Sequence, residues 1–535
     1  MKSLFSSAIA LLFLLPNLSF AQITPYSFKE GKGVTPSASF KSENPVSNSI
    51  TAMLVVGDTV WLGTSRGLSR SVDNGSSWSN FYGSAEFGIE NISALAYDRE
   101  NHILWAATAH SADVNGESLP EGSGLRYTTD GGSTWTVIPQ PVDADNDSVV
   151  IYGNNRLRAL PVTVTIQNII YDAAVSKGGV IWVATFAGGL RKSTDRGQTW
   201  QRVVLPPDYL NSVKPEDNLS FCLSPVPGKF CAEGNLNHRV FSVHVVNDTV
   251  IYAGTANGIN KSTDNGISWV KLNHQNQTNP ISGNFVVAIN SNPDNANELW
   301  AATWKAEAQD EFYAVSYTLD GGSNWFTTLY DERANNFTLL NGQVIAAASG
   351  GLFKSSDREN WVLPGNIVDS RTKIPVLTST YYSAAFAENG NVLYLGSNEG
   401  LIKNYGFSGT WLENWKVYYA SQPLNTRNSA YAFPNPFSPK TDLLKIKYNT
   451  NGKTAQVTIR IFDFAMNYVR TLIQNAPRGN PFNQINSTDP DGVNGVLDLW
   501  DGKDDNGNVV PNGVYFYKIE IDSETPIVGK VIVLQ

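Results

Sequence analysis

The residues best equipped for chemistry in this sequence are carboxylates, and one group of them is crowded into a single short segment. Residues 304–312 contain Glu307, Asp310 and Glu311 close to an aromatic residue and a lysine. Hydrolysis of a glycosidic bond needs two carboxyl groups that flank one bond, and such a segment could contribute one or both. Nothing in the spacing selects a pair, so we predict no catalytic residue from it.

A second set of carboxylates belongs to a phrase that recurs along the chain, Ser/Thr-x-Asp-x-Gly-x-x-Trp. Five full copies and a shortened sixth copy without the Gly carry Asp73, Asp130, Asp195, Asp264, Asp320 and Asp357. The Gly suits a position of positive φ at a hairpin tip, and the Asp can accept backbone N–H groups of its own turn. We therefore predict structural roles for these six aspartates.

The phrase resembles the Asp-box, or BNR repeat, of sialidase-like β-propeller proteins. That resemblance implies a ring in which each copy stands on a separate blade. Families with this repeat include sialidases and some endo-glucanases. A sialidase also carries the sequence Arg-Ile-Pro near its first blade. This chain lacks that sequence, and the segment Arg158-Ala-Leu-Pro161 matches it poorly.

Strand patterns accompany the phrase in a fixed order. A segment of period-2 alternation, such as Val60–Thr64, occurs seven times, with Gly or Ala always two residues after the aromatic position. A Gly-Leu/Ile start follows six of the seven copies, and a further strand precedes each unit; examples are Ile50–Val56, Ile92–Tyr97, Ile166–Tyr171 and Phe241–Val246. Seven four-stranded units between residues 48 and 420 predict an all-β fold with a seven-bladed β-propeller.

The chain begins with a pattern typical of a secretory signal peptide. Lys2 precedes an apolar run, and Ser19-Phe20-Ala21 is a small-residue cleavage site, so we predict a signal peptide over residues 1–21. Residues 22–47 then form an N-terminal extension. Cys222 and Cys231 are either free or paired, and export favours the disulfide.

After residue 420 the composition changes. Residues 421–429 read as a linker, and residues 430–535 carry Pro434-Asn-Pro-Phe437, Trp500-Asp-Gly502 and Gly513-Val-Tyr-Phe-Tyr517. These marks resemble the C-terminal sorting domain of type IX secretion cargo and the Ig-like domain of the flagellar hook-capping protein. The resemblance implies a small β-sandwich recognised by the type IX machinery. We expect Ile459, Ile461, Val514, Phe516 and Ile519, or their neighbours, to form its core.

Composition limits the partners. The formal net charge of −9 argues against nucleic acid, and no long apolar run beyond the signal region predicts a transmembrane span. We expect no cofactor and no zinc site, because the five histidines lack a ligand spacing. Calcium remains a weaker alternative at Asp143–Asp147 and at Asp501–Asp505, where turns and solvated loops favour the same residues. We expect a monomer that is secreted or held at the outer-membrane surface.

Loop length indicates where a ligand binds. Four long links, at His110–Ser123, Trp304–Phe312, about 139–163 and about 205–238, all leave the face opposite the recurring phrase. We predict a glycan or protein ligand on that face, and glycoside hydrolysis is the alternative. The predicted binding residues are Tyr152, Arg156, Arg158, Tyr209, Arg239, Trp304, Lys305, Glu307, Asp310 and Glu311.

Overall fold

The computed structural model describes residues 40–42, 44–247, 249–370, 374–387, 390–407, 411, 414–420, 430–450, 454–479 and 496–535. The chain divides into two compact units, the first containing Met1–Gly365 and Ser379–Leu412 and the second Asn366–Thr378 and Glu413–Gln535. The predicted signal peptide and linker lie outside the described residues. The predicted domain limits at residues 48, 420 and 430 stay predictions.

The first unit is a ring of seven antiparallel sheets, which we call blades 1 to 7, with the innermost strand first in the chain. The strands are Ile50–Val56, Thr59–Thr64, Gly67–Ser71 and Trp78–Asn80 (blade 1); Asn91–Asp98, Ile103–Val114, Glu117–Thr128 and Thr136–Ile138 (2); Ile170–Ser176, Val180–Thr185, Gly189–Ser193 and Gln201–Arg202 (3); Val240–Val245, Ile251–Thr255, Gly258–Ser262 and Trp269–Leu272 (4); Phe285–Asn292, Asn295–Trp304, Ala314–Thr318 and Phe326–Thr328 (5); Ala334–Leu340, Gln343–Ala348 and Leu352–Ser355 (6); Tyr381–Phe386, Val392–Ser397 and Leu401–Tyr405 (7). The predicted seven-bladed propeller is confirmed.

Smaller elements extend the blades. Phe40–Ser42 adds a fifth strand to blade 1, and Ser212–Val213 adds one to blade 4. Val149–Tyr152, Asn155–Ala159 and Cys222–Leu223 form a separate three-stranded sheet, and short 3-10 helices occupy Lys177–Gly179 and Leu236–His238. One predicted inner strand, Ile166–Tyr171, begins too early, because the real strand is Ile170–Ser176. Gln167 N donates to Pro120 O of the blade 2 hairpin and Asn168 N donates to Thr165 O, so neither belongs to the strand.

Small residues on the second strand of each blade have a steric cause. A Cβ added to Gly63 would lie 2.8 Å from Ile92 Cγ2 of blade 2, and one added to Gly254 would lie 2.8 Å from Val286 Cγ1 of blade 5. The inner strands of neighbouring blades therefore approach too closely for a larger side chain there. Every inner strand also contains a register shift near its start. Side chains at this shift can bond to the next blade: Asp172 of blade 3 accepts a hydrogen bond from Val243 N of blade 4 at 3.0 Å.

The recurring phrases, which we call Asp turns, brace the ring. Asp73 accepts hydrogen bonds from Ser76 N, Ser77 N and Ser77 Oγ, so its carboxylate closes its own turn. The same arrangement recurs in the other copies. The backbone of the turn then accepts from the preceding blade: Gly321 O receives Tyr252 OH at 2.9 Å and Lys261 Nζ at 2.7 Å. The aspartates are thus committed to structural bonds.

The second unit contains a β-sandwich of two sheets around one core. Tyr431–Phe433, Leu444–Tyr448 and Val496–Trp500 form one sheet, and Tyr468–Arg478, Ala455–Phe462, Gly513–Ile521 and Ile527–Val533 form the other in that order; Trp415–Tyr418 is a further strand of the unit. This confirms the predicted fold class.

The predicted sandwich core is partly correct. Ile459, Ile461 and Ile519 are buried as expected, but Tyr515 and Tyr517 face the core in place of Val514 and Phe516. Because side chains alternate along a strand, Ile519 requires the odd-numbered residues of its strand to point inward. The Asp505-Asn-Gly507 segment forms the predicted turn, between the bridged residues Lys503 and Val509.

Candidate functional site

The Asp turns and the long links occupy opposite faces of the ring. Asn74 N donates to Asp58 O and Asn265 N donates to Thr249 O, which places each Asp turn beside the first turn of its own blade. In an antiparallel blade the second-to-third connection and the link to the next blade then emerge at the other end. We call that end the loop face, and it carries links 139–169, 203–239 and 305–313.

The predicted loop His110–Ser123 is not a loop. It is the end of a β-hairpin formed by Ile103–Val114 and Glu117–Thr128, whose strands pair almost to the tip. The hairpin packs on the link that follows blade 2, because Gly122 N donates to Thr165 O at 3.0 Å and Gln167 N donates to Pro120 O at 2.7 Å. It therefore has a fixed position on the loop face.

The acidic segment 304–312 divides into buried and exposed groups. Glu311 is only 3% exposed and accepts hydrogen bonds from Ala306 N at 2.6 Å and Asn284 Nδ2 at 2.7 Å. Its carboxylate therefore stabilises the conformation of the segment 304–312. Asp310 is exposed and lies 3.4 Å from His274 Nε2, while Lys305 and Glu307 are exposed. The carboxylates do not converge on one point where a bond could be held.

The predicted binding residue Tyr152, in the link after blade 2, does not lie on the loop face where we expected it. Tyr152 OH donates to Ile267 O at 2.7 Å, and Ile267 belongs to the Asp turn of blade 4. Tyr152 is therefore away from the loop face, because the hairpin 149–159 runs along the outer edge of the blades. Arg156 and Tyr209 are exposed, and Arg158 lies over the ring of Phe230, 4.7 Å from its centroid.

The disulfide Cys222–Cys231 closes this part of the link, as predicted. Arg158 Nη2 donates to Phe230 O at 2.7 Å, so the cross-linked loop is also tied to the three-stranded sheet. His238 is fully buried and joins the loop to blade 3 through Ser224 and Leu205 O. Burial lowers the pKa of His238 to about 4, which keeps it neutral and structural.

Trp304 belongs to a row of aromatic rings that crosses the loop-face ends of blades 3 to 5, and Arg239 lies beside that row. The row, which we call the aromatic row, contains Tyr171, Phe186, Phe241, Phe285, Trp304 and Tyr313. Neighbouring ring centroids are 4.6–6.4 Å apart. Phe241 and Trp304 are buried, and the other four rings are partly exposed.

Two arginines border the aromatic row. Arg239 lies 5.3 Å from the centroid of Phe186, and Arg333 lies 4.3 Å from the centroid of Tyr313. Arg239 is buried and its Nε donates to Pro225 O, whereas Arg333 is exposed. Aromatic faces bordered by a few polar groups suit a ligand with both apolar faces and hydrogen-bonding groups.

The row follows from the positions of its residues on the strands. Tyr171, Phe241 and Phe285 stand at or next to the first residue of the innermost strand in three consecutive blades. Trp304 ends the second strand of blade 5, and an antiparallel blade places that end on the same face. By strand register Tyr171 and Phe241 are equivalent, whereas Phe285 lies two positions earlier. The available sequence signal was therefore an aromatic residue near the start of the innermost strand, and reasoning from loop length overlooked it.

A histidine lies between two glutamates at the base of the blade 2 hairpin. His110 Nδ1 is 3.0 Å from Glu90 Oε2, and its Nε2 is 3.3 Å from Glu121 Oε2. The bond to Glu90 is the main cause that raises the pKa of His110, while hydrogen bonds from His110 and Ser123 outweigh burial and lower the pKa of Glu90.

Ser123 completes this cluster without making it a nucleophilic site. Its Oγ lies 3.0 Å from His110 Nδ1 but donates to Glu90 at 2.7 Å. The hydroxyl hydrogen of Ser123 is directed at Glu90 and not at the imidazole, and the Glu90 carboxylate would oppose negative charge on the serine oxygen. The cluster therefore fastens the hairpin.

At each predicted calcium alternative, carboxylates are already engaged by other groups of the protein. Asp143 is buried and accepts from Arg191 Nη1 at 2.7 Å and Nη2 at 2.9 Å. In the second unit, Asp501 pairs with Arg470, and Asp504 accepts backbone N–H groups of its turn. Within the described part of the chain no group of three or more His, Cys, Asp or Glu residues is placed to hold a metal ion.

Comparisons with known proteins support the fold. An ancestral GH74 enzyme is 14% identical, with a TM-score of 0.50, 92% of this chain covered and 63% of that chain. YCF48 bound to D1 peptide is 14% identical, with a TM-score of 0.41, 72% of this chain covered and 99% of that chain. PorZ of Porphyromonas gingivalis, a surface component of the type IX secretion system, is 14% identical, with a TM-score of 0.34, 89% of this chain covered and 64% of that chain.

The likeness to the ancestral GH74 enzyme, at 14% identity, shows a β-propeller fold and no activity. No family model and no curated protein sequence matches the chain. Among the described residues no helix is long and apolar enough to cross a membrane. The chain is thus an all-β protein with a seven-bladed propeller, and its function has to be argued from its own surface.

Proposed function

We propose that the protein is an exported, cell-surface β-propeller that binds a glycan or protein ligand on its loop face. The aromatic row is the observation that carries this proposal. Its partly exposed rings lie in three neighbouring blades: Tyr171 and Phe285 are in innermost strands, and Phe186 and Tyr313 are directly next to a strand. Ring faces in such a line can stack against successive sugar rings or apolar side chains, and Arg333 adds a charge at one end.

The recurring phrase and the C-terminal domain supply the rest of the proposal. The Asp turns support membership of the Asp-box, or BNR, group, since each carboxylate closes a turn of the kind that this repeat requires. The sandwich in the second unit carries the marks of a type IX sorting domain. We propose that residues 430–535 deliver the chain through that machinery, after the signal peptide has directed it across the inner membrane. The disulfide fits an oxidising compartment.

Glycoside hydrolysis has weaker support. A hydrolase needs one protonated and one ionised carboxyl group facing the same bond. On the loop face Glu311 is buried in hydrogen bonds, Asp310 faces His274, and Glu90 is bound to His110 and Ser123. These contacts favour binding over catalysis.

The binding proposal is tested on the mature full-length chain. A glycan array and a peptide array with the wild type identify the ligand, and Tyr313→Ala and Arg333→Ala should each weaken its binding by about tenfold or more. Tyr209→Ala is the matched control, because Tyr209 is 62% exposed and lies outside the row. Equal binding by all four proteins would contradict the site. Release of 4-methylumbelliferone from synthetic glycosides by the wild type would favour the hydrolase.

Export is tested separately. The full-length chain and a chain ending at residue 429 are expressed in a bacterium with a type IX system, and each is located by immunoblotting of surface and periplasmic fractions. We expect the shortened chain to remain in the periplasm. Its appearance at the surface would exclude a sorting role for residues 430–535.

A further inference from the structure

The hairpin of blade 2 is long, and its charges are unevenly distributed. Its two strands have twelve residues each, more than the second and third strands of any other blade that the structure describes. Its outer half, residues 109–123, contains the carboxylates of Asp113, Glu117 and Glu121 and one side chain that can become positive, His110. His110 is therefore the group in this half that can attract a carboxylate of the ring.

His110 contacts a carboxylate with each of its ring nitrogens. Its Nδ1 lies 3.0 Å from Glu90 Oε2, and Glu90 belongs to the link between blades 1 and 2. Its Nε2 lies 3.3 Å from Glu121 Oε2, on the opposite strand of the hairpin. A neutral imidazole has one N–H group and one nitrogen lone pair, whereas the protonated ring donates from both nitrogens. Only protonated His110 can therefore bond both glutamates, and neutral His110 turns a lone pair toward one of them.

Other groups hold both glutamates in place whatever the charge of His110. Ser123 Oγ donates to Glu90 at 2.7 Å, and Arg126, on the same strand as Ser123, supplies a nearby positive charge to Glu90. Thr165, in the link after blade 2, donates its hydroxyl to Glu121 Oε1. The two carboxylates therefore stay beside the imidazole when it loses its proton, and the contact with one of them becomes repulsive.

The base of the hairpin also touches the aromatic row. Ala109, the neighbour of His110, is fully buried against Ile169, and Tyr171 packs on this pair. Tyr171 is the ring of the row that belongs to blade 3, the blade next to the hairpin. A change in how His110 is held is therefore passed by direct contact to that end of the row.

We propose that the blade 2 hairpin is a pH-sensitive clasp: protonated His110 holds residues 109–123 against the ring, and loss of its proton loosens them together with the packing around Tyr171. The bond to Glu90 and the charges of both glutamates raise the pKa of His110 despite partial burial. Such a group contributes stability that is complete below the ordinary histidine pKa of about 6.5 and is lost as the pH rises through the higher value of the folded state. The clasp requires no ligand, and it would make binding at Tyr171 pH-dependent if the row binds a ligand as proposed above.

Hydrogen exchange of the mature full-length protein at pH 6 and pH 9, read by mass spectrometry and corrected for intrinsic exchange rates, tests the proposal. We expect residues 109–123 and 169–171 to be protected about fivefold less at pH 9, while residues 343–355 of blade 6 keep their protection. His110→Gln should lower the protection of the hairpin at pH 6 to the wild-type level at pH 9 and remove the pH dependence. His102→Gln, which removes an exposed histidine from the first turn of the same blade, is the matched control and should behave as the wild type.

Glu121→Gln distinguishes the clasp from a merely structural contact, and it decides the question if His110→Gln does not fold. Its amide can donate to the lone pair of neutral His110 while Nδ1 still bonds Glu90, so residues 109–123 should stay protected at pH 9. Equal protection of the wild-type hairpin at both pH values would overturn the proposal. So would a pH dependence that persists in His110→Gln or Glu121→Gln, or one that disappears in His102→Gln.

Discussion

Tyr394 in the last blade donates a hydrogen bond from its hydroxyl to the backbone oxygen of Asn74 in the first blade, at 3.1 Å. Lys403, which pairs with Tyr394 across the sheet, donates to the same oxygen. Ser383 Oγ reaches Ile50 O at 3.5 Å on the inner strands. These side-chain bonds close the ring at the junction of its two ends.

We expect Tyr394→Phe to destabilise the propeller by about 1 kcal/mol, the usual net value of one hydrogen bond. The loss should stay near this value because Lys403 still satisfies Asn74 O. Urea unfolding followed by tryptophan fluorescence measures the change. Tyr209→Phe is the control, since Tyr209 is largely exposed. An equal effect of the two substitutions would show that the bond contributes nothing.

The Asp turns should make the protein acid-sensitive. Hydrogen bonds from Thr199 Oγ1, Thr199 N and Ser193 Oγ lower the pKa of Asp195 to about 2. A depressed pKa contributes stability that is complete above the ordinary value near 4 and is lost as the pH falls toward 2. Asp195→Asn should therefore cost stability at pH 7 and progressively less between pH 4 and 2. Thermal unfolding of both proteins across that range measures this, and a constant difference would contradict it.

Asp172 should have the opposite dependence. It lies in the inner strand of blade 3, and removal of its carboxyl group from water raises its pKa to about 7 despite hydrogen bonds from Val243 N and Ala173 N. Its neutral form is favoured in the folded state, so its contribution decreases as the pH rises from about 4 to about 7. The stability gap between wild type and Asp172→Asn should then shrink over this interval. Denaturant unfolding at pH 4.5, 6 and 7.5 tests the sign, and a widening gap would refute it.

The disulfide should stabilise the link more than the blades. Cys222 and Cys231 are nine residues apart. Closing so small a loop lowers the conformational entropy of the unfolded chain, which stabilises the folded state by roughly 2.5–3 kcal/mol. We expect the Cys222→Ser, Cys231→Ser double variant to keep the propeller but to be cut faster by trypsin at Lys229. Mass spectrometry of timed digests identifies the cleavage site. Unchanged protection of that peptide would mean that His238 and Arg158 alone hold the loop.

Much of the propeller was predictable from the sequence because each blade repeats the same local physics. The seven alternating strands and six Asp turns have a fixed order, and the small residue on each second strand has one steric reason. The candidate site was harder to predict from the sequence. The hairpin 149–159 carries Tyr152 around the edge of the ring, and no local pattern encodes that path. Arg239 and Trp304 were predicted because they lie at the ends of long links, but the aromatic residues that contact them, such as Phe186 and Phe285, lie outside those links.

The closure of the ring has a mechanical consequence. The strands of blade 1 come from residues 40–80, and among the residues that the structure describes none of them pairs with a strand of blade 7. Tyr394, Lys403 and Ser383 make hydrogen bonds across the junction of blades 7 and 1. Every other pair of neighbouring blades is also joined by the chain that runs from one to the next. We therefore expect the ring to open first between blades 1 and 7. Faster hydrogen exchange along residues 50–56 and 381–386 would detect this opening.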